Sequence, residues 1–201
     1  MQKNPRKTGA FTLIELLVVI AIIAILIGLL FPAFQAVQKQ AKRTQAKNDL
    51  TQIVTAVNAF YTEYGKYPLV ADDTPITVNN LLFDVLRNKT GSTPGNASNP
   101  RGIVFISPPD VKDQNLPKSG IATLTVTVNG VSIPIGSFVD PWGTPYRVAI
   151  DGTYDNQITN PYTANAGSGT LTIGVIAWSL GADGVQGTAD FKASDDVISW
   201  Q

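Results

Sequence analysis

The sequence predicts an α+β protein, with one long N-terminal helix packed on a small C-terminal antiparallel sheet. Three observations predict it. Residues 11–34 form an apolar run long enough to span a membrane. Beyond that run, Leu50, Ile53, Val54, Val57, Phe60, Tyr61 and Tyr64 recur at spacings of three and four, as one face of a helix does. After residue 120 the apolar residues alternate instead, with Leu124, Val126 and Val128 leading into Asn129-Gly130 and Val131 and Ile133 leading out. That pairing of alternation with a two-residue turn is a hairpin signature.

In chain order, residues 1–10 form a basic leader with Lys3, Arg6 and Lys7 and no acid. The apolar run follows, interrupted only by Thr12, Glu15, Gly28 and Pro32. As a helix, residues 11–34 would rise about 36 Å, against a hydrocarbon core of about 30 Å. A secretory signal has a shorter run with its small residues after it. Here the small pair Gly9-Ala10 comes first, so the run reads either as an uncleaved anchor or as a processed segment. Glu15 is the exceptional residue, because an ionised carboxylate in an apolar run is costly and marks a functional site. No Lys or Arg lies between Lys7 and Lys39 to answer it. A cut after Ala10 would create a new α-amino cation at Phe11, and a shifted neighbouring copy could bring that amine to Glu15.

Pro32 predicts a kink or local opening in the helix. The periodic stripe then carries the helix to residue 64, where Gly65 is the cap and Pro68 stops continuation. Residues 35–65 are thus an amphipathic continuation. In the remainder, 66–139 reads as a variable head region and 140–201 as C-terminal strands with an acidic loop. Residues 81–86 predict a short helix starting near Asn79 or Asn80. Residues 103–106 predict a short strand ended by Pro108-Pro109. Residues 121–135 predict the hairpin, and 146–150 and 171–179 two further strands. Asp140-Pro-Trp-Gly reads as a turn with a packed aromatic.

Composition excludes several functions. There is no cysteine and no histidine, which removes disulfides, thiolate nucleophiles, Cys/His zinc sites and histidine-based triads. Formal net charge is zero, which argues against a general nucleic-acid binder. Nothing pairs a nucleophile with a base, so no enzyme is predicted. The loop from Ser179 to Trp200 holds Asp183, Asp190, Asp195 and Asp196 among Gly181, Gly184 and Gly187. Carboxylates and turned-in carbonyls suit a hard cation such as calcium, although acidic glycine loops are also often merely solvated.

Gly9-Ala-Phe-Thr-Leu-Ile-Glu15, with the leader before it and the aliphatic run after it, resembles the signal of type IV pilins and type II secretion pseudopilins. That resemblance implies a pilin-like fold and a filament subunit of the G-type major pseudopilin kind. It implies that a prepilin peptidase cuts between Ala10 and Phe11 and methylates the new amine. Alanine stands here where those families usually have glycine, and a cut between Gly9 and Ala10 is the alternative. It implies assembly through Phe11 and Glu15 into a helical homopolymer, with minor pseudopilins and an inner-membrane assembly platform as partners. The N-terminus would be cytoplasmic and the head periplasmic, an orientation taken from the resemblance because Lys39, Lys42, Arg43 and Lys47 balance the leader's charge. Asp140-Pro-Trp-Gly-Thr-Pro-Tyr146, Ser179-Leu-Gly-Ala-Asp-Gly184 and Asp196-Val-Ile-Ser-Trp200 resemble the C-terminal half of the major pseudopilin. The resemblance implies a bound calcium ion, with Asp183 and Asp196 as ligands, carbonyls near Leu180 and Val185, and Asp190 and Asp195 as further candidates. Residues 69–139 carry no such likeness. The alternatives are a type IV pilin for adhesion, DNA uptake or motility, and an anchored calcium-binding module that does not polymerise.

Overall fold

The computed structural model describes residues 13–89, 98–128, 130–187 and 189–201. The chain divides into two compact units, Met1–Ala41 and Lys42–Gln201. One helix, α1 (Leu13–Tyr64, 52 residues), runs from the first unit into the second. It continues through Pro32. Proline removes one backbone donor and crowds the carbonyl four residues earlier. That carbonyl belongs to Gly28, around whose Cα there is open space. The helix ends where the sequence places the stop: Gly65 takes φ +68° and its N–H donates to Tyr61 O at 2.8 Å, a left-handed cap that a side chain would strain.

In the first unit every described residue is exposed. Seventeen large apolar side chains of α1, from Leu13 to Val37, stand in the open. Full burial of each is worth about 1.5–3 kcal/mol, so this surface calls for lipid or protein against it.

The second unit begins where burial begins. Ala46, Leu50, Ile53, Ala56, Val57 and Phe60 of α1 are buried. Val54 and Tyr64 of the predicted stripe are partly covered. Tyr61 departs from the expected core face, being 39% exposed with its ring on Tyr67 rather than in the core. The stripe packs on a three-stranded antiparallel sheet of β5 (Arg147–Ile150), β8 (Val175–Ser179) and β9 (Val197–Ile198), in the order β5-β8-β9. Val148, Ile150, Val175, Ala177 and Val197 face the helix. On the other face Ala149, Ile176, Trp178 and Ile198 pack with Tyr162, Ala166 and Leu180. All of β8 is buried, because helix covers one face and loops cover the other.

The remaining elements are short. α2 (Asn80–Leu86) is the predicted helix. β2 (Val126–Val128) pairs with β3 (Val131–Ile133), with Val128 opposite Val131. β1 (Gly120–Ile121) pairs with β4 (Phe138–Val139) in the same register, so the hairpin reaches further than its predicted 121–135. β6 (Ile158–Thr159) pairs with β7 (Thr170–Leu171). Two expected strands differ. Residues 103–106 join no ladder; Phe105 N–H instead donates to Leu86 O beyond α2, and the prolines that follow have no N–H to offer. The run 171–179 breaks between β7 and β8 at Gly174, where the Tyr67 hydroxyl occupies the space of a side chain.

Two buried polar contacts tie these parts together. Asp49 of α1 accepts a hydrogen bond from the Tyr146 hydroxyl at 2.8 Å, and burial raises both pKa values. Asn79, fully buried, donates to Phe138 O and Tyr146 O and accepts from Phe138 N–H, so it joins the start of α2 to β4 and to the residue before β5. In an Asn79→Ala variant these backbone groups lose their partner, at about 2–4 kcal/mol. The expected outcome is a melting temperature lower by roughly 5–15 °C, read by circular dichroism on the detergent-solubilised chain. A shift below about 2 °C would show that the amide is dispensable.

Candidate functional site

Two features outside the general packing bear on function, one on the exposed half of α1 and one in the acidic loop. On α1, Glu15 stands in the first described turn and is exposed. Gly9, Ala10 and Phe11, the expected processing residues, lie outside the described residues.

The acidic loop is built from the end of β8. Asp140, fully buried, is its anchor. One oxygen accepts from the N–H groups of Trp142, Gly143 and Thr144 at 2.8–2.9 Å, and the other accepts from the Ser179 hydroxyl at 2.5 Å. Ser179 Oγ in turn accepts from Gly181 N–H at 3.2 Å. Gly181 turns the chain at φ +66°, and a side chain there would collide with the Asp195 carboxyl.

This turn brings Asp183, Asp195 and Asp196 together, with one oxygen of each within 4.8 Å of the others. Each carboxylate uses one oxygen on the loop itself. Asp183 accepts from Val185 N–H at 2.8 Å, Asp195 from Ala182 N–H at 2.6 Å and Asp196 from Gly187 N–H at 2.8 Å. The second oxygens of Asp195 and Asp196 are buried with no hydrogen-bond partner. Burial first, and then the Asp195 and Asp183 charges, push the Asp196 carboxyl up, against the opposing pull of Gly187 N–H. Two buried acceptors without a donor, inside a group of three acids, are a costly arrangement that a cation relieves. The donor set is all oxygen, which fits a hard divalent ion.

Of the other expected ligands, Leu180 is buried and Val185 exposed, at either side of Asp183. Asp190 is used differently. Its carboxylate caps the 3-10 turn Phe191–Ala193, accepting from Lys192 N–H at 3.0 Å and from the Asn165 amide at 2.7 Å, and these bonds lower its pKa. The anchoring role of Asp140 was visible only as a turn signal. The position of Tyr162 beside Asp196 had no sequence signal, because it arrives from a separate loop.

Residues 5–31 match the family model described as the prokaryotic N-terminal methylation motif. The whole chain is similar to the type II secretion system core protein G of Pseudomonas aeruginosa, with 27% identity over 195 residues, 97% of this chain and 96% of the relative. The chain is pilin-like. No solved structure matches it. The methylation motif and an N-terminal helix apolar enough to cross a bilayer support a membrane-anchored protein. Its anchor is α1, the one described helix long and apolar enough to cross a bilayer. The α+β arrangement of one long helix and small antiparallel sheets is the one the sequence predicts.

The Asp140 anchor yields a pH prediction. Burial pushes its carboxyl up to about 6, against the hydrogen bonds from Ser179 and the 142–144 backbone. An unfolded aspartate titrates near ~3.9. As pH rises from about 4 the unfolded chain therefore loses its proton first, and the contribution of Asp140 to stability falls until about pH 6. The expected loss is up to about 3 kcal/mol. Denaturant unfolding of the wild type and of Asp140→Asn at pH 4 and 6.5 should differ by this slope, and equal slopes would refute it.

Proposed function

We propose that this chain is the major filament-forming subunit of a type II secretion-like pseudopilus, cut at its N-terminus by a prepilin peptidase and polymerised through α1. One observation carries the reading: the methylation motif covers 5–31, taking in Gly9, Ala10, Phe11 and Glu15, and continues into a half-helix exposed on every face. Processing between Ala10 and Phe11 removes the leader's cations and leaves a methylated amine at Phe11. Before assembly, α1 spans the inner membrane with its N-terminus in the cytoplasm and its head in the periplasm. During assembly the lipid around α1 is exchanged for the apolar helices of other copies. In that water-poor core a carboxylate needs a positive partner, and the Phe11 amine of a neighbouring copy supplies it to Glu15. The pairing fixes the axial step between copies. The assembly platform and minor pseudopilins act as partners.

We also propose that the acidic loop holds calcium, with Asp183, Asp195 and Asp196 as ligands and nearby carbonyls such as those of Leu180 and Val185 completing the shell. The ion would supply positive charge to the two partnerless carboxylate oxygens and stiffen the loop at the end of β8.

Glu15→Ala should insert in the membrane and yet give no filaments. Electron microscopy of sheared surface fractions checks this, and normal filaments would count against the pairing. Mass spectrometry of the mature protein should show a methylated Phe11 at the N-terminus, whereas a start at Met1 sinks the processing step. For the loop, calcium at a hundred times its dissociation constant adds about 2.7 kcal/mol. The melting temperature should rise by roughly 5–10 °C in the wild type and remain fixed in Asp183→Asn/Asp196→Asn. No rise in the wild type removes calcium from the account.

A further inference from the structure

Three tyrosines gather on the surface of the head. The rings of Tyr61 and Tyr67 lie 4.5 Å apart at 28°, those of Tyr67 and Tyr154 5.6 Å apart at 23°, and those of Tyr61 and Tyr154 6.4 Å apart at 35°. Tyr61 is 39% exposed and Tyr154 50%. Tyr154 holds φ +61°, an uncommon conformation for a bulky side chain. Its hydroxyl accepts from Tyr67 N–H at 3.0 Å, which keeps the ring in the stack. The same loop carries Asp151 and Asp155, which gather with Asp73 so that one oxygen of each lies within 4.8 Å of the others. These acids take no part in the ion pairs of the described residues, which join Arg87 to Asp110 and Arg101 to Glu63. Lys66, next to Tyr67 and exposed, pairs with none of them. The face is aromatic and acidic, the chemistry that receives an ammonium or guanidinium group.

The opposite charge lies elsewhere on the same helix. No acid occurs between Glu15 and Asp49, and Asp49 is buried against Tyr146. Arg43 and Lys47 turn to their own head, donating to backbone carbonyls of Asp196, Ile198 and Gln201. Lys42 is exposed, and Lys39 stands three residues before it, exposed as well. Lys42 and Tyr61 are separated by roughly 29 Å along α1 at about 1.5 Å per residue, well beyond the ~8 Å over which salt leaves surface charges in contact. Within a single copy the rigid helix keeps these two groups apart.

We infer that copies of this chain also bind one another at the level of their heads, the Lys39 and Lys42 stretch of one copy docking on the Tyr61, Tyr67, Tyr154 and Asp155 face of the next. The contact joins two different surfaces, so each bound copy still offers one of each. Such a heterologous contact propagates into an open helical array rather than a closed pair. It rests on the polymerising function proposed above and adds a second connection, with a much longer axial offset than a Glu15 pairing gives.

The chain has no cysteine, so two introduced thiols are the only ones. Lys42→Cys/Asp155→Cys is made in the full chain, expressed in its membrane, and treated with a short bismaleimide, since a lysine–aspartate contact separates backbones further than a disulfide spans. The expected result is a ladder of dimers, trimers and longer species on denaturing electrophoresis. The control pair Lys42→Cys/Val131→Cys, with the exposed Val131 of the hairpin, should give none. Lys42→Glu should lose filaments, and adding Asp155→Lys to the same chain should restore them. Filaments without a ladder, an equal ladder from the control, or no restoration overturns this contact and leaves the pseudopilus reading standing. A ladder without filaments supports the contact and overturns that reading, and the absence of both overturns the two together.

Discussion

Apolar surface that its own chain leaves uncovered is the constraint on which the rest of this molecule depends. The first half of α1 exposes Leu, Ile, Val and Phe on all sides. A helix apolar all round is stable only inside something else. A bilayer and a bundle of identical helices both satisfy it, and the two environments are close in polarity. Passage between them changes little in hydrophobic free energy. The difference is made by the few polar groups that accompany the helix, with Glu15 foremost. A nonspecific apolar cylinder thereby acquires an address.

The head answers the same constraint in the opposite way. Here α1 shows one face to a sheet and keeps the other in water. The sheet is itself covered twice, by the helix and by the loops around Tyr162 and Trp200. Its middle strand, β8, ends at Ser179, whose hydroxyl meets Asp140, and the acidic loop leaves from that point. The three gathered aspartates therefore lie between the end of β8 and the start of β9, two strands paired in one sheet. A site on a rigid element holds its geometry better than one on a free loop.

Much of this was legible in the sequence, for identifiable reasons. The long helix, its end at Gly65, α2 and the Asn129-Gly130 hairpin all carry local signals: periodicity, a cap and a turn. Asp183 and Asp196 stood out in the acidic loop, with Asp190 and Asp195 as further candidates, because all four lie in one glycine-rich stretch. What was not legible depends on distant partners. Residues 103–106 look like a strand, yet Phe105 N–H finds Leu86 rather than a ladder. Tyr61 fits the helical stripe, yet Tyr67 and Tyr154 draw it to the surface. Asp190 fits a ligand set by composition, yet Asn165 and the Lys192 N–H take its carboxylate.

The clasp of Lys47 on the carbonyls of Ile198 and Gln201 has a bearing on how the head comes into being. The strip of α1 made early in synthesis is completed by β9, made much later. Between the two lie more than a hundred residues, so this contact is strongly non-local and closes a long loop. A ribosome or translocation channel still holding residue 197 withholds a strand from the sheet. The head therefore matures only after residue 198 has been made and released, and until then the helix stands half-clad.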